Sequence, residues 1–245
     1  MTLAICLWSG PRNVSTALMY SFAQRQDVRV VDEPLYGHYL RVSGADHPGR
    51  QDVMAAVNCD GAAVMRDLLM LQAREQARVL FIKHMAHHLH SLDLGFLKKT
   101  RNVFLVRDPR EMLPSLTIQL PQATLSDTGL RRQWELFREM ADQGQNPAIL
   151  DSRELLLDPE GVLRQLCTHL DLEFDPGMLT WKAGARAEDG VWAPHWYHAV
   201  HQSSGFSAYQ AKSEFPEHLQ ALLDECRPWY EKLYSFSLRA DAAGE

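Results

Sequence analysis

"LWSGPRNVSTALMYSF", residues 7–22, decides how the rest of the chain is read. An apolar run, Leu3 to Trp8, ends at Ser9-Gly10-Pro11, which suits a strand buried on both faces better than a helix. Beyond the turn, Val14, Ala17, Leu18, Ser21 and Phe22 recur at steps of three and four, the period of a helix packed on a sheet. A loop between a buried strand and a helix start presents unpaired N–H groups and the positive end of a helix dipole to one point, and that point attracts anions. Gly10 permits close backbone approach, Arg12 adds a permanent charge with a forked donor set, and Ser15 and Thr16 supply hydroxyls in the first helical turn. An ordinary helix start capped by Ser9 or Asn13 is the competing reading. The Walker A pattern laid on Gly10 requires Gly, Lys and Ser or Thr where this chain has Ser15, Thr16 and Ala17, which disfavours an ordinary Mg-nucleotide triphosphatase.

Working outward, Val28–Asp32, Arg78–His84, Asn102–Asp108 and Pro147–Ser152 read as further strands. Helical patterns fall within Met54–Ala77, Pro109–Leu120, Gly129–Asp142 and Pro159–Leu170. This alternation predicts an α/β fold, a mostly parallel sheet flanked by helices and joined by right-handed crossovers, in one domain over residues 1–245. Gly184–Phe206 has little periodicity but carries Trp192, Trp196, Tyr197 and three histidines, and is expected to be a lid or pocket wall. The final "RADAAGE", Arg239–Glu245, is expected to fray.

A formal charge of -6 argues against bulk nucleic-acid binding, so any anion site must be local. The leading apolar run is too short for a signal-peptide core or a membrane span, which makes the cytoplasm the expected location and no membrane partner expected. Cys6, Cys59, Cys167 and Cys226 are scattered without metal-like spacing and are expected to be reduced thiols.

"FLVRDPREMLPS", residues 104–115, suggests a second anion position. Arg107 falls at the carboxyl end of a strand, Asp108 is a good N-cap, Pro109 a good first helical residue, and Ser115 lies on the new helix. Ligands of open α/β sheets bind outside the carboxyl ends of the strands, so Arg107 and Arg12 are expected to line one crevice suited to two separated anionic groups. A solvated ion pair of Arg107 with Asp108 or Glu111 is the simpler reading.

At these residues the chain resembles the sulfotransferases that use 3′-phosphoadenosine 5′-phosphosulfate (PAPS). "SGPRNVSTAL" is similar to that family's 5′-phosphosulfate loop in the form carried by several carbohydrate-type members, with Arg12 in place of the more familiar lysine and Val14 in place of a small glycine. The resemblance implies a P-loop-like architecture in which Gly10, Pro11, Arg12, Asn13, Val14, Ser15 and Thr16 hold the 5′-phosphosulfate, and Arg107 and Ser115, eight positions apart, hold the 3′-phosphate. "VVDEP" resembles the segment carrying a glutamate base in some members, which lands on Glu33; His84, after a lysine in "FIKHMAHH", is the rival base. Leu155–Pro176 is similar to the family's helical C-terminal segment, and "QSSGF", Gln202–Phe206, faintly resembles its late glycine-rich 3′-phosphate segment. The implied reaction moves a sulfuryl group from PAPS to a hydroxyl or amine of a small or carbohydrate-like acceptor, releasing 3′-phosphoadenosine 5′-phosphate (PAP), with no metal required. Arg12 and the turn would stabilise the moving group. Of His84, His87, His88 and His90, the first three have the spacing of one helical face and could ligate a metal, but no clear acidic or cysteine ligand accompanies them. The alternatives are a non-catalytic PAPS- or PAP-binding sensor on the same scaffold and a divergent nucleotide kinase or NTPase.

Overall fold

The computed structural model describes residues 3–72, 77–211 and 214–240. In chain order its elements are β1 (Leu3–Ser9), α1 (Ser15–Phe22), β2 (Val28–Asp32), α2 (Tyr36–Ser43), α3 (Arg50–Ala56), α4 (Gly61–Gln72), β3 (Val79–Met85) and β4 (Arg101–Val106). There follow α5 (Pro109–Leu116), α6 (Leu125–Thr128), α7 (Leu130–Asp142), β5 (Ala148–Asp151), α8 (Ser152–Leu157), α9 (Pro159–His169), α10 (Ala193–Trp196), α11 (His198–His201) and α12 (Gln220–Tyr234).

The five strands form one sheet in the order β2-β3-β1-β4-β5, and every neighbouring pair is parallel. Alternation along β1 divides the core into two layers. Ile5 and Leu7 face α1 and α9 with Phe81, Leu105 and Leu150, whereas Cys6 and Trp8 face α5, α7 and α12 with Ile82, Phe104 and Ile149. Both faces of the central strands are therefore buried, which explains the unbroken apolar runs. The register pairs Trp8 with His84 and Ser9 with Met85 on β3, so the carboxyl ends of β1 and β3 emerge together.

The predicted strands agree with the structure to within two residues at each end. The Met54–Ala77 pattern resolves into α3 and α4, residues 73–76 lying outside the described residues, as do residues 241–245 of the expected soft end. Three segments differ. Tyr36–Arg50, where the sequence shows no helical pattern, contains α2 and the start of α3. Gly184–Phe206 contains the short helices α10 and α11. The 15-residue α12 carries Pro228 in its interior, a residue that argues against a helix in sequence and is accommodated here by packing on α5 and α7.

The turn after β1 departs from a simple capped start. Neither Ser9 nor Asn13 caps α1: Ser9 Oγ donates to His84 O at 2.9 Å, and Asn13 Nδ2 donates to Leu105 O at 2.8 Å. The N-cap is Val14, left-handed at φ 60, with no side-chain cap. Gly10 also has a different role from the one expected. It lies outside the cavity described below, and a Cβ there would sit 2.5 Å from the Thr128 carbonyl oxygen. Packing against the α6–α7 junction, rather than ligand approach, requires glycine. Gly10→Ala is expected to lower stability by about 1–3 kcal/mol, and with it the thermal midpoint by roughly 2–10 °C, measurable by calorimetry.

Candidate active site

The carboxyl edge of the sheet opens into a cavity of about 270 Å³ whose lining includes Arg12, Glu33, Lys83, Arg107, Ser115 and Trp196. The turn at one end is held from below. Gln133 Nε2 donates to the carbonyls of Trp8 and Leu105 at 2.9 Å each, and Ser152 Oγ lies 2.9 Å from the carbonyl oxygens of both Asn13 and Val106. Asn13 itself is buried in this scaffold. Above it, the first-turn N–H groups of Ser15, Thr16 and Ala17 have no intrahelical acceptor, and the cap residue supplies none. Pro11, Arg12, Asn13, Val14, Ser15 and Thr16 all line the cavity.

Arg12 is left-handed at φ 58 and its guanidinium is directed across the cavity, with Nε donating to Ser115 Oγ at 2.8 Å and Nη1 to the Trp196 carbonyl at 3.1 Å. It has no carboxylate partner among the described residues. Burial and the neighbouring Arg107 both push its pKa down from the usual value, yet a guanidinium stays charged. Arg107 follows β4 directly. Its Nη1 donates to Arg12 O at 3.0 Å and its Nε meets Glu111 Oε2 at 3.2 Å, so the expected pairing with Glu111 is present and leaves a second edge of the guanidinium on the turn. Asp108 caps α5 by accepting from Arg110 N at 2.8 Å, with Pro109 next, as the sequence predicts. The structure thus brings Arg12, Arg107 and Ser115 together.

At the other end sits a buried charge cluster. Lys83 is fully buried on β3, and its Nζ donates to Asp32 Oδ1 at 2.8 Å, Glu33 Oε1 at 2.6 Å and the Tyr197 hydroxyl at 2.7 Å. Tyr197 donates in turn to Asp32 Oδ2 at 2.6 Å and accepts from Trp192 Nε1 at 3.1 Å. Glu33 lines the cavity in a left-handed conformation, φ 37. Burial raises its pKa above the ordinary carboxylate value, Lys83 opposes this, and Asp32 adds to it. The two carboxylates outweigh burial at Lys83 and hold it as an ammonium. Lys83 was not singled out from the sequence, where it stands inside an apolar strand.

His84 is not brought to this site. Consecutive strand residues face opposite sides, so with Lys83 towards the cavity, His84 turns into the other core layer and stacks on Trp8 at 4.4 Å. Neither ring nitrogen has a partner among the described residues, and burial, assisted by Lys83, lowers its pKa to about 3. The histidines do not share a helical face: His84 lies in a strand, while His87 and His88 lie in the 3₁₀ turn Ala86–His88. Among the described residues no group of histidines, cysteines and carboxylates is placed to hold a metal ion.

The 184–206 segment closes over the cavity through specific bonds. Gly190 N donates to Asp32 Oδ2 at 3.3 Å, Tyr20 donates to Asp189 Oδ1 at 2.6 Å, and Trp181 N donates to Ser204 O at 3.0 Å. Trp196, Tyr197, Ser203, Gly205 and Phe206 line the cavity, so the "QSSGF" stretch reaches it.

A sequence profile described as a sulfotransferase domain matches residues 3–236. The chain belongs to the sulfotransferase domain family. Its fold is the P-loop NTPase-like architecture of that family: the sulfotransferase domain of the Synechococcus PCC 7002 olefin synthase superposes with a TM-score of 0.53 at 18% identity, covering 97% of this chain and 96% of that one. The sulfotransferase domain of the curacin biosynthetic pathway gives 0.50 at 18% identity, covering 97% and 92%. In sequence, the chain is 38% identical over 228 residues to the "branched-chain-amino-acid aminotransferase-like protein 2" of Arabidopsis thaliana, covering 92% of this chain and 40% of that protein. It is 40% identical over 230 residues to the "-like protein 1" of the same plant, covering 93% and 41%. The chain spans about two fifths of the length of these two relatives. Among the described residues no helix is long and apolar enough to cross a membrane.

Two outcomes follow from the sulfotransferase-domain geometry. Tyr197→Phe removes the hydroxyl shared by Lys83, Asp32 and Trp192, and hydrogen exchange is expected to quicken in residues 184–206 while the β1 and β3 amides stay protected. His84, neutral in the fold, contributes stability that is present above its ordinary pKa of 6.5 and lost as pH falls from there towards about 3. Replacing it by Phe, which keeps the stacking, is expected to make the acid loss shallower by up to about 1.4 kcal/mol per pH unit, read from urea midpoints at pH 7 and pH 5.

Proposed function

We propose that this sulfotransferase-domain chain transfers a sulfuryl group from PAPS to a hydroxyl or amine of a small acceptor. The observation that carries the reading is Arg12: a half-buried, permanent cation that faces a second arginine and, among the described residues, only neutral acceptors, beside helix N–H groups with no partner among those residues. Such a set is stabilised by an anion. Two guanidiniums at neighbouring strand ends fit a nucleotide with two separated phosphate groups better than a triphosphate. The Walker lysine that a kinase or NTPase needs is absent.

On this reading the turn from Pro11 to Thr16 and the Arg12 guanidinium hold the 5′-phosphosulfate, and Arg107 with Ser115 holds the 3′-phosphate. PAPS supplies an activated sulfuryl group whose peripheral charge makes positioning and electrostatic stabilisation the main catalytic work. Glu33 takes the proton of the acceptor as its oxygen or nitrogen bonds to sulfur and the bond from sulfur to the phosphate oxygen breaks. Its burial raises its basicity, and Lys83 fixes its direction. His84, turned away from the cavity, has no part in this scheme.

Saturation with PAP at about 100 times its dissociation constant is expected to stabilise the protein by about 2.7 kcal/mol, a shift of roughly 5–10 °C. ATP and GTP with magnesium are expected to give less, and Arg107→Ala to erase the preference. Equal shifts with ATP would overturn the 3′-phosphate assignment. Glu33→Gln is expected to keep the PAP shift and lose sulfuryl transfer from labelled PAPS, whereas full turnover in that variant would remove Glu33 as the base. A sensor that binds without turnover would show the PAP shift and no transfer in the unaltered protein.

A further inference from the structure

The cavity is divided by charge. Its guanidiniums, Arg12 and Arg107, are at the turn, while its lining also carries Asp127 and the Lys83 cluster, in which two carboxylates meet one ammonium. Asp127 accepts from Thr124 N at 2.7 Å and from Thr124 Oγ1 at 2.8 Å, both through Oδ2, and has no cationic partner among the described residues.

Between these carboxylates the wall is aromatic. Tyr36 stacks on His88 at 4.9 Å with an interplanar angle of 3°, donates or accepts with His47 Nδ1 at 3.0 Å, and His47 lies 6.3 Å from Trp196. The histidines do not offset the negative charge. Burial lowers the pKa of His47, His87 and His88, to about 4 for His87, so all three are neutral at neutral pH. His88 is 1% exposed, lines the cavity, and its Nδ1 has no partner among the described residues. A buried ring nitrogen without a partner is costly, and a group entering the cavity is the available way to satisfy it.

We infer that the acceptor is a cationic amphiphile: a flat apolar body bearing a nucleophilic hydroxyl and, separately, an ammonium group that is met by Asp127 and the aromatic wall. Aromatic faces attract cations, and a carboxylate beside them adds to this. An acceptor bearing carboxylate or sulfate groups, such as an acidic sugar, meets the same sign of charge and is excluded. The inference rests on the sulfotransferase reading for the position of the reacting hydroxyl, and the acceptor is activated as described above, its proton passing to Glu33.

Three phenols of matched shape test it: tyramine, 4-ethylphenol and 3-(4-hydroxyphenyl)propionate, whose tails are cationic, neutral and anionic. Each is titrated onto the full chain saturated with PAP, with binding read by calorimetry, and turnover is followed separately with labelled PAPS. Tyramine is expected to bind about tenfold more tightly than 4-ethylphenol, and the acid more weakly than either. Asp127→Asn keeps an oxygen for the Thr124 bonds and is expected to bring tyramine level with 4-ethylphenol while leaving PAP affinity unchanged. Equal binding of amine and acid, binding of none of the three, or an unchanged amine preference in Asp127→Asn overturns the inference. Failure of PAP itself to bind overturns the sulfotransferase reading instead, so the two failures are distinguishable.

Discussion

The site depends on one buried ammonium. Lys83 is inaccessible to solvent, and burying a charge this completely is tolerated only when its donors are all engaged. Its three N–H groups go to Asp32, Glu33 and Tyr197, which belong to the end of β2, the residue after it, and the segment that closes over the cavity. One side chain thus fixes the relation between two strands and the cover. Removing it would leave two carboxylates in a dry environment, a loss of about 3–5 kcal/mol for breaking such a pair. The left-handed Glu33 is held in place by the same bonds: its N–H donates to Lys83 O at 2.8 Å, so backbone and side chain of Lys83 both restrain it.

The opposite end of the cavity is under the reverse tension. Arg107 donates to the carbonyl of Arg12, which places two guanidiniums at adjoining strand ends, with Glu111 the carboxylate that meets Arg107. A chain with a formal charge of -6 has concentrated uncompensated positive charge at one point of its surface. The parallel sheet makes this possible, because β1 and β4 are neighbours and both end at the same edge. The carboxylates gather on the other side because β2 and β3 are neighbours there. Strand order therefore sets the polarity of the cavity, with anion-binding groups over β1 and β4 and acidic groups over β2 and β3.

Local chemistry made much of this legible from sequence. The Gly-Pro turn, the Asp108-Pro109 helix start and the five strands are encoded by neighbours within a few residues, and Arg107 and Ser115 stand only eight residues apart. Lys83 was missed because its partners stand 51, 50 and 114 residues away, and nothing in "VLFIKHM" distinguishes a buried lysine from a strand residue at a sheet end. The period of a strand did hold a signal: Lys83 and His84 cannot both face one cavity, and a choice of either excluded the other. Gly10 was assigned to ligand approach because the turn alone suggests it, whereas the Thr128 carbonyl that requires glycine comes from more than a hundred residues later. Likewise α12 owes its existence to packing against α5 and α7, which its own sequence, interrupted by Pro228, does not announce.

On the proposed reading, the base and the cover are not independent parts. Tyr197 shares Lys83 with Glu33 and donates to Asp32, and its hydroxyl lies 3.4 Å from Glu33 Oε1. Displacing the segment that carries Tyr197 would take a hydrogen-bond donor from Asp32 and admit water to the cluster. Water would relieve the burial that raises the Glu33 pKa, and so would lower its basicity. Trp196, adjacent in sequence, accepts from Arg12 at the other end of the cavity. The same two adjacent residues of the cover therefore touch the anion-binding guanidinium and the carboxylate cluster at once. Closing over a bound acceptor would assemble both halves of the chemistry, and an open site would hold a weaker base beside an arginine that had lost a partner.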